Sequence, residues 1–271
     1  MSAAILHPVM FRSLWNYRGF VVGAVKRDFQ TRYLGSLLGG VWAVLNPLAM
    51  IVVFTVVFSQ VMGSRLPNSS GGVFGYSIYL CAGLLPWNLF AELVGRLNTV
   101  FVENGNLMKK ASFPRVCLPT ITLLSTLIHF VITFALFFAF LILVGALPGW
   151  PLLALPLVLA ILAMFALGLG LLLGTLNVFF RDVAHFTSVL LQFWLWLTPI
   201  IYLVDVLPPA LRGVIGLNPM TPLMDALHAI FVQQSFPIFT ALIYPALLAV
   251  FLLGAGALAF LRLSGEIVDE L

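Results

Sequence analysis

Long unbroken apolar runs set the rhythm of this chain, and charged residues fall almost wholly between them. From Val116 to Phe180 there is no Asp, Glu, Lys or Arg. A helix needs about 20 apolar residues to cross roughly 30 Å of hydrocarbon, so that run predicts two spans. The turn between them falls in GALPGWP, Gly145 to Pro151, because Gly and Pro punctuate helices and Pro suits a first helical turn. The same count predicts six spans: Leu37–Met62, Val73–Val102, Thr120–Val144, Leu152–Phe180, Val183–Val204 and Ile238–Leu261. Lipid offers no partner to open backbone groups, and the alternating segments of a barrel are absent, so the spans are helical. The predicted organisation is an arm over residues 1–36 followed by a six-helix membrane domain over 37–271.

Composition changes the picture only by making it definite. Hydrophobic residues are 62% of the chain, charged residues 8%, and the mean hydropathy is +1.13, which marks an all-α integral membrane protein. Arg12, Arg18, Lys26, Arg27, Arg32, Lys109, Lys110, Arg115, Arg181 and Arg262 fall on one side of the six-span topology, with Arg96 near it. Only Arg65 and Arg212 fall on the other. By the positive-inside rule both termini are cytoplasmic, and the pI near 9.3 follows from topology without invoking nucleic acid. The first 20 residues lack an apolar core with a small-residue cleavage site, so no cleaved signal peptide is expected. A disulfide between Cys81 and Cys117 would have to cross the membrane, and the four histidines lack metal-ligand spacing. No cofactor is expected in this chain.

Three polar features stand out against the apolar runs. The first is the island Glu103–Pro119, ENGNLMKKASFPRVCLP. It reads either as a solvated loop that fixes topology or as a grip for a soluble partner, with Leu107, Met108 and Phe113 as apolar anchors and Lys109, Lys110 and Arg115 as orienting charge. The second is the arm, where Val22, Val25, Phe29 and Tyr33 recur at helical spacing and predict an amphipathic interface helix. Asp28 and Arg32 on it form an i,i+4 pair in the favourable order, ~0.3 kcal/mol if exposed. The arm is either a passive anchor or a second contact for a cytoplasmic subunit. The third is Glu92 with Arg96, one turn apart in the second span. A bilayer-centre charge costs about 2.5 kcal/mol or more, so the two either neutralise each other or line a polar passage. His129 in the third span reads as a hydrogen-bonded packing residue or, less simply, a proton relay.

No GxxxxGK[ST] phosphate cradle exists, and GLGLGLLLG from Gly168 has no following lysine. Its glycines, like the spacings Gly19/Gly23, Gly35/Gly39 and Gly170/Gly174, suit close helix packing. Neither a nucleophile with a base nor paired carboxylates appears. The buried acids and repeated halves of an ion-coupled carrier are missing too. A transporter of this kind takes its energy from outside the chain.

The chain resembles the membrane subunits of ABC-2 type exporters that move lipid-linked polysaccharides such as O-antigen, capsule or teichoic acid. The resemblance rests on KRDFQTRYLGSLLGGVWAVLNPL (Lys26–Leu48), GLLPWNLF (Gly83–Phe90), NLMKKASFPRVCLP (Asn106–Pro119), NVFFRDV (Asn177–Val183), LTPIIY (Leu197–Tyr202) and NPMTPL (Asn218–Leu223), in order and spacing. It implies a homodimer in the bacterial inner membrane, working with two copies of a separate ATPase that binds ATP and Mg. It also implies that the island contains a coupling helix docking on that ATPase through Asn106, Leu107, Lys109, Lys110, Phe113 and Arg115, with Arg27, Asp28 and Arg32 of the arm beside it. The outer segment Leu203–Pro237 would hold short re-entrant helices that gate the exit, placing Asp225 and His228 there; an interfacial cap competes with that role. Trp42, Phe54 and Phe58 on the first span, and Phe193, Trp194 and Trp196 on the fifth, would line the passage; lipid-facing aromatics compete with that reading. Such a chain is no enzyme by itself and serves lipopolysaccharide biosynthesis. The alternatives are an ABC-2 type exporter of drugs or lipids and, further off, a membrane-embedded glycan enzyme.

Overall fold

The computed structural model describes residues 15–33, 39–57, 74–109, 114–204 and 208–270, and every regular element among them is helical. In chain order the α-helices are α1 (Arg18–Tyr33), α2 (Trp42–Phe54), α3 (Gly75–Glu103), α4 (Gly105–Met108), α5 (Cys117–Val144), α6 (Leu155–Phe179), α7 (Asp182–Leu197), α8 (Pro209–Gly216), α9 (Met220–Phe231) and α10 (Ile243–Glu270). Single 3-10 turns lead into α2, α6 and α10.

Among the described residues five helical stretches are long and apolar enough to cross a membrane: Gly39–Val57, Gly75–Glu103, Cys117–Val144, Trp150–Phe179 and Phe239–Ile267. Each overlaps an expected span. The turn expected at Gly145–Pro151 is also there. Gly145 takes φ +70°, the Ala146 N–H bonds back to the Leu141 carbonyl at 2.9 Å, and Pro151 sits in the entry turn to α6. A left-handed cap of this kind favours glycine because it lacks a Cβ.

The expected span Val183–Val204 differs. Its helix, α7, has 16 residues, about 24 Å at 1.5 Å per residue. It stops because Pro199 pushes the residue before it out of the helical region; Thr198 is extended, with φ −104° and ψ 134°. The carbonyls beyond the break find donors on α3. The Tyr79 hydroxyl donates to Tyr202 at 2.8 Å with the Pro199 carbonyl 3.3 Å away, and the Tyr76 hydroxyl donates to Ile201 at 2.5 Å. Unwound backbone at membrane depth requires such protein partners.

Helix α3 is the centre of the bundle, with buried residues on every face from Ser77 to Phe101. It packs on α5 and α6, and α6 packs in turn on α10. These contacts are close because α6 presents glycine. A Cβ at Gly168 would strike the backbone of Leu252 and Leu253, and one at Gly170 or Gly174 would strike Leu97. Gly256 on α10 faces Gly168 across the same seam. The small-residue reading of GLGLGLLLG therefore holds. Among the described residues no such contact forms at Gly19/Gly23, where a Cβ on Gly19 would meet nothing and one on Gly23 only Arg27 of its own helix, and a Cβ on Gly39, at φ +50°, would also meet nothing within 4 Å; Gly35 lies outside the described residues.

The arm helix buries Val21 and Val25 against Cys117, with Tyr17 and Ile121 packed beside them. Val22, assigned to the apolar stripe by its spacing, is exposed and Val21 is buried in its place, while Val25 of the expected stripe is buried and Phe29 half-buried. Two short helices form in the described part of the outer segment. Helix α8 is mostly exposed, whereas α9 begins at Met220 and buries Met220, Leu223, Met224, Leu227, Ile230 and Phe231 in the core. Cys81 and Cys117 are both buried free thiols.

Candidate functional site

The polar island grows directly from the central helix. At the end of α3 the Asn104 amide donates back to the Val100 carbonyl at 2.9 Å, and the chain turns into the single helical turn α4. Met108 is buried and ties this turn to the core, Leu107 is half-buried, and Asn106 and Lys109 face outward. Lys110 and Phe113 lie outside the described residues. Arg115 is turned inward, donating through Nη1 to the Ser264 carbonyl on α10. Of the six residues assigned to partner docking, Arg115 is thus occupied within the chain, while Asn106 and Lys109 are presented. Met108 anchors the island to its own bundle rather than to a partner.

The arm lies across α3 and α5, and its charges meet those of the second span. Arg96 Nη2 is 2.7 Å from Asp28 Oδ1, and Arg32 donates to Glu92 Oε1. Glu92 Oε2 lies 3.2 Å from His129 Nδ1, and Arg96 Nη1 is 3.4 Å from the Thr126 hydroxyl. Within each helix the i,i+4 pairs are longer, 4.0 Å for Arg32–Asp28 and 3.9 Å for Arg96–Glu92. Glu92 and Arg96 pair more closely with the arm than with each other, and His129 is hydrogen-bonded to Glu92. Arg27 points away, its guanidinium 5.9 Å from the Phe20 ring centre. Between α1, α3, α4 and α5 a cleft of about 490 Å³ joins Arg27, Asp28 and Arg96 to Glu103 and Leu107. Arm and island therefore share one surface.

The aromatic candidates separate. Phe193 and Trp196 are exposed at 65% and 60%, and Trp42 at 37%. Phe54 is half-buried against the core, and Phe58 lies outside the described residues. Trp194 is half-buried: its indole N–H donates to Asn218 Oδ1 at 2.8 Å and its ring packs edge-on to Trp87, Phe90 and Phe165. The two exit candidates also part. Asp225 is exposed, whereas His228 is buried, stacked on Tyr79 at 3.8 Å between ring centres with Nε2 3.2 Å from the Tyr79 carbonyl oxygen.

Several amides that join elements escape periodicity. Asn177 Nδ2 donates to the Asn98 carbonyl at 2.9 Å and its Oδ1 accepts from the Ala184 N–H at 3.1 Å, so α3, α6 and the start of α7 are tied together. Asn218 accepts from Trp194 and from the Met220 N–H, and donates to the Thr198 hydroxyl at 3.0 Å. It thereby ties the end of α7 to the start of α9. Asparagines inside apolar runs were the available signal, since a buried amide must be hydrogen-bonded, but the partners are far away in sequence.

Comparison with known proteins agrees with this architecture. The family model for ABC-2 type transporters matches residues 21–232. The chain is similar to the O-antigen export system permease protein RfbA of Myxococcus xanthus, 33% identical over 93% of this chain and 95% of that protein. It is also similar to the O-antigen export system permease protein RfbA of Klebsiella pneumoniae, 30% identical over 79% of this chain and 80% of that one. With long apolar helices around a buried central one, and a match that runs from the arm through α9, the chain belongs to the ABC-2 type transporter family.

Proposed function

We propose that this chain is the permease subunit of an ATP-driven exporter that carries a lipid-linked, O-antigen-like polysaccharide across the bacterial inner membrane, in the service of lipopolysaccharide biosynthesis. The observation that carries the reading is the similarity to an O-antigen export permease along 93% of the chain. Two copies form the passage and two copies of a cytoplasmic ATPase power it, with ATP and Mg held by the ATPase. Both termini face the cytoplasm, which requires an even number of crossings. Helix α7, continued by the unwound segment to Leu203, supplies the sixth, its freed carbonyls satisfied by Tyr76 and Tyr79. The ATPase docks at the island, where Asn106 and Lys109 are presented beside the arm. Closure of the ATPase pair on ATP is passed through arm and island to the spans, shifting a populated equilibrium between shut and open arrangements. Exposed Trp42, Phe193 and Trp196 offer flat apolar rings to sugar faces, and α8 with α9 covers the outer exit.

The test is reconstitution in vesicles with the partner ATPase and a lipid-linked glycan. Glycan is expected to reach the far side only with ATP and both subunits. Transfer without the ATPase, or none with the complete complex, would overturn the reading.

A further inference from the structure

Helices α1 and α3 each carry an acid followed one turn later by an arginine: Asp28 and Arg32, Glu92 and Arg96. In the structure they pair crosswise, Asp28 with Arg96 and Arg32 with Glu92. A side-by-side parallel arm in register would set Asp28 against Glu92 and Arg32 against Arg96, so the crossed pairs disfavour that arrangement. The apolar part of the arm's attachment is slight, two buried valines on Cys117 and its neighbours.

The same four charges have a second arrangement close at hand. Arg32 Nε is already 4.0 Å from Asp28 Oδ2, and Arg96 Nη1 is 3.9 Å from Glu92 Oε1. Among the described residues Asp28 Oδ2 has no hydrogen-bond partner, which leaves it an acceptor for Arg32. If the arm withdrew, each helix could close its own i,i+4 pair and no charge would be left unpaired in an apolar setting, which is the costly outcome. All four side chains are about one-quarter exposed, so water can enter during the exchange. Glu92 also branches to His129 on α5, and both line a pocket of about 220 Å³ with Asn46, Pro47 and Met50 of α2. Movement of the arm is therefore felt where α2, α3 and α5 meet.

We propose that the crossed pairs Asp28–Arg96 and Arg32–Glu92 form a releasable latch between the arm and the central helix, and that these four are positioning residues for ATP-coupled export. The export role rests on the function proposed above; the latch itself does not. It exists in two states, with ion pairs between helices when engaged and within helices when released.

The design distinguishes a latch from a static tether. Arg32→Glu combined with Glu92→Arg keeps both crossed pairs attractive but puts like charges at i,i+4 in each helix, so the arm can attach and cannot release without penalty. Reversing all four positions, Asp28→Arg, Arg32→Glu, Glu92→Arg and Arg96→Glu, restores both states. Spin labels at Lys26→Cys and Glu103→Cys, in the complete chain in nanodiscs with Cys81 and Cys117 replaced, report the arm-to-α3 distance. Two distance populations are expected for the native charges and for the four-way reversal, and one, the engaged distance, for the half-swap. This readout needs neither ATPase nor glycan, so it stands even if the export reading falls. In the reconstituted complex the half-swap should lower glycan exported per ATP hydrolysed by at least about fivefold, with recovery in the four-way reversal. A single population with native charges, or a half-swap that retains two, would overturn the latch.

Discussion

Gly168 and Gly256 decide how near α6 and α10 can come, because a Cβ on Gly168 would lie 2.7 Å from the Leu253 Cα and one on Gly256 2.5 Å from the Gly168 carbonyl oxygen. Backbone cannot give way as a side-chain tip can. Gly168→Leu is therefore expected to pry the helices apart and cost about 3 kcal/mol or more, measured as a lowered unfolding midpoint in mixed detergent. Gly254→Ala, on the same seam helix but facing open space, should leave the midpoint unchanged or raise it slightly, because Ala is the better helix former. Equal loss in both would refute the packing account. Single residues were legible to the extent that their chemistry is local. His129 needed a hydrogen bond and found Glu92, as an imidazole in an apolar helix must. Trp194 was not legible, because its N–H is captured by Asn218, 24 residues away, and nothing in the local pattern distinguishes it from exposed Trp196.

The island behaves as one element with two kinds of cation. Lys109 points outward from α4, whereas Arg115 is spent on the Ser264 carbonyl. Reversing charge at Lys109 together with Lys110, or changing Phe113→Asp, should leave insertion intact and uncouple ATP hydrolysis from export, seen as ATPase turnover without glycan transfer in the reconstituted complex. Arg115→Gln should act differently, removing the tie to α10 and lowering thermal stability by about 1–3 kcal/mol, while the protein that survives remains coupled. Normal export by the reversal variants would sink the docking role, and an uncoupled but fully stable Arg115→Gln would return that arginine to the partner surface. The elements themselves were largely readable, since a charge-free run of fixed length leaves few choices. Periodicity missed the end of α7 at Thr198 because the break lies inside an apolar run; Pro199 marked it, and the tyrosines that make it tolerable sit on another helix. The arm's stripe was right at Val25 and Phe29 but took Val22 for Val21, because the two are equally apolar and only the placement of Cys117 and Ile121 on α5 selects Val21.

At the scale of the whole molecule, one subunit leaves two kinds of apolar surface uncovered. Helix α10 packs one side on α6 and exposes residues such as Phe251, at 68%, on the other, the ordinary pattern of a lipid-facing span. Helix α7 is different, because among its 16 residues only Thr187 is fully buried and its exposed side carries Phe186, Phe193 and Trp196. Helix α2 buries Ala43, Pro47 and Ile51, no smaller a share of its span than α10 buries, so α7 is the helix that stands apart. The centre of the bundle is a tightly packed α3, so on the function proposed above the glycan passage forms between two copies, bordered by α7, the helix with most side chains to spare. In a chain with both native cysteines replaced, Phe193→Cys or Trp196→Cys should therefore give a disulfide- or bismaleimide-linked dimer in native membranes, while Phe251→Cys should remain monomeric under the same oxidation. Cross-linking confined to Phe251→Cys would place the partner on α10 and move the passage away from α7.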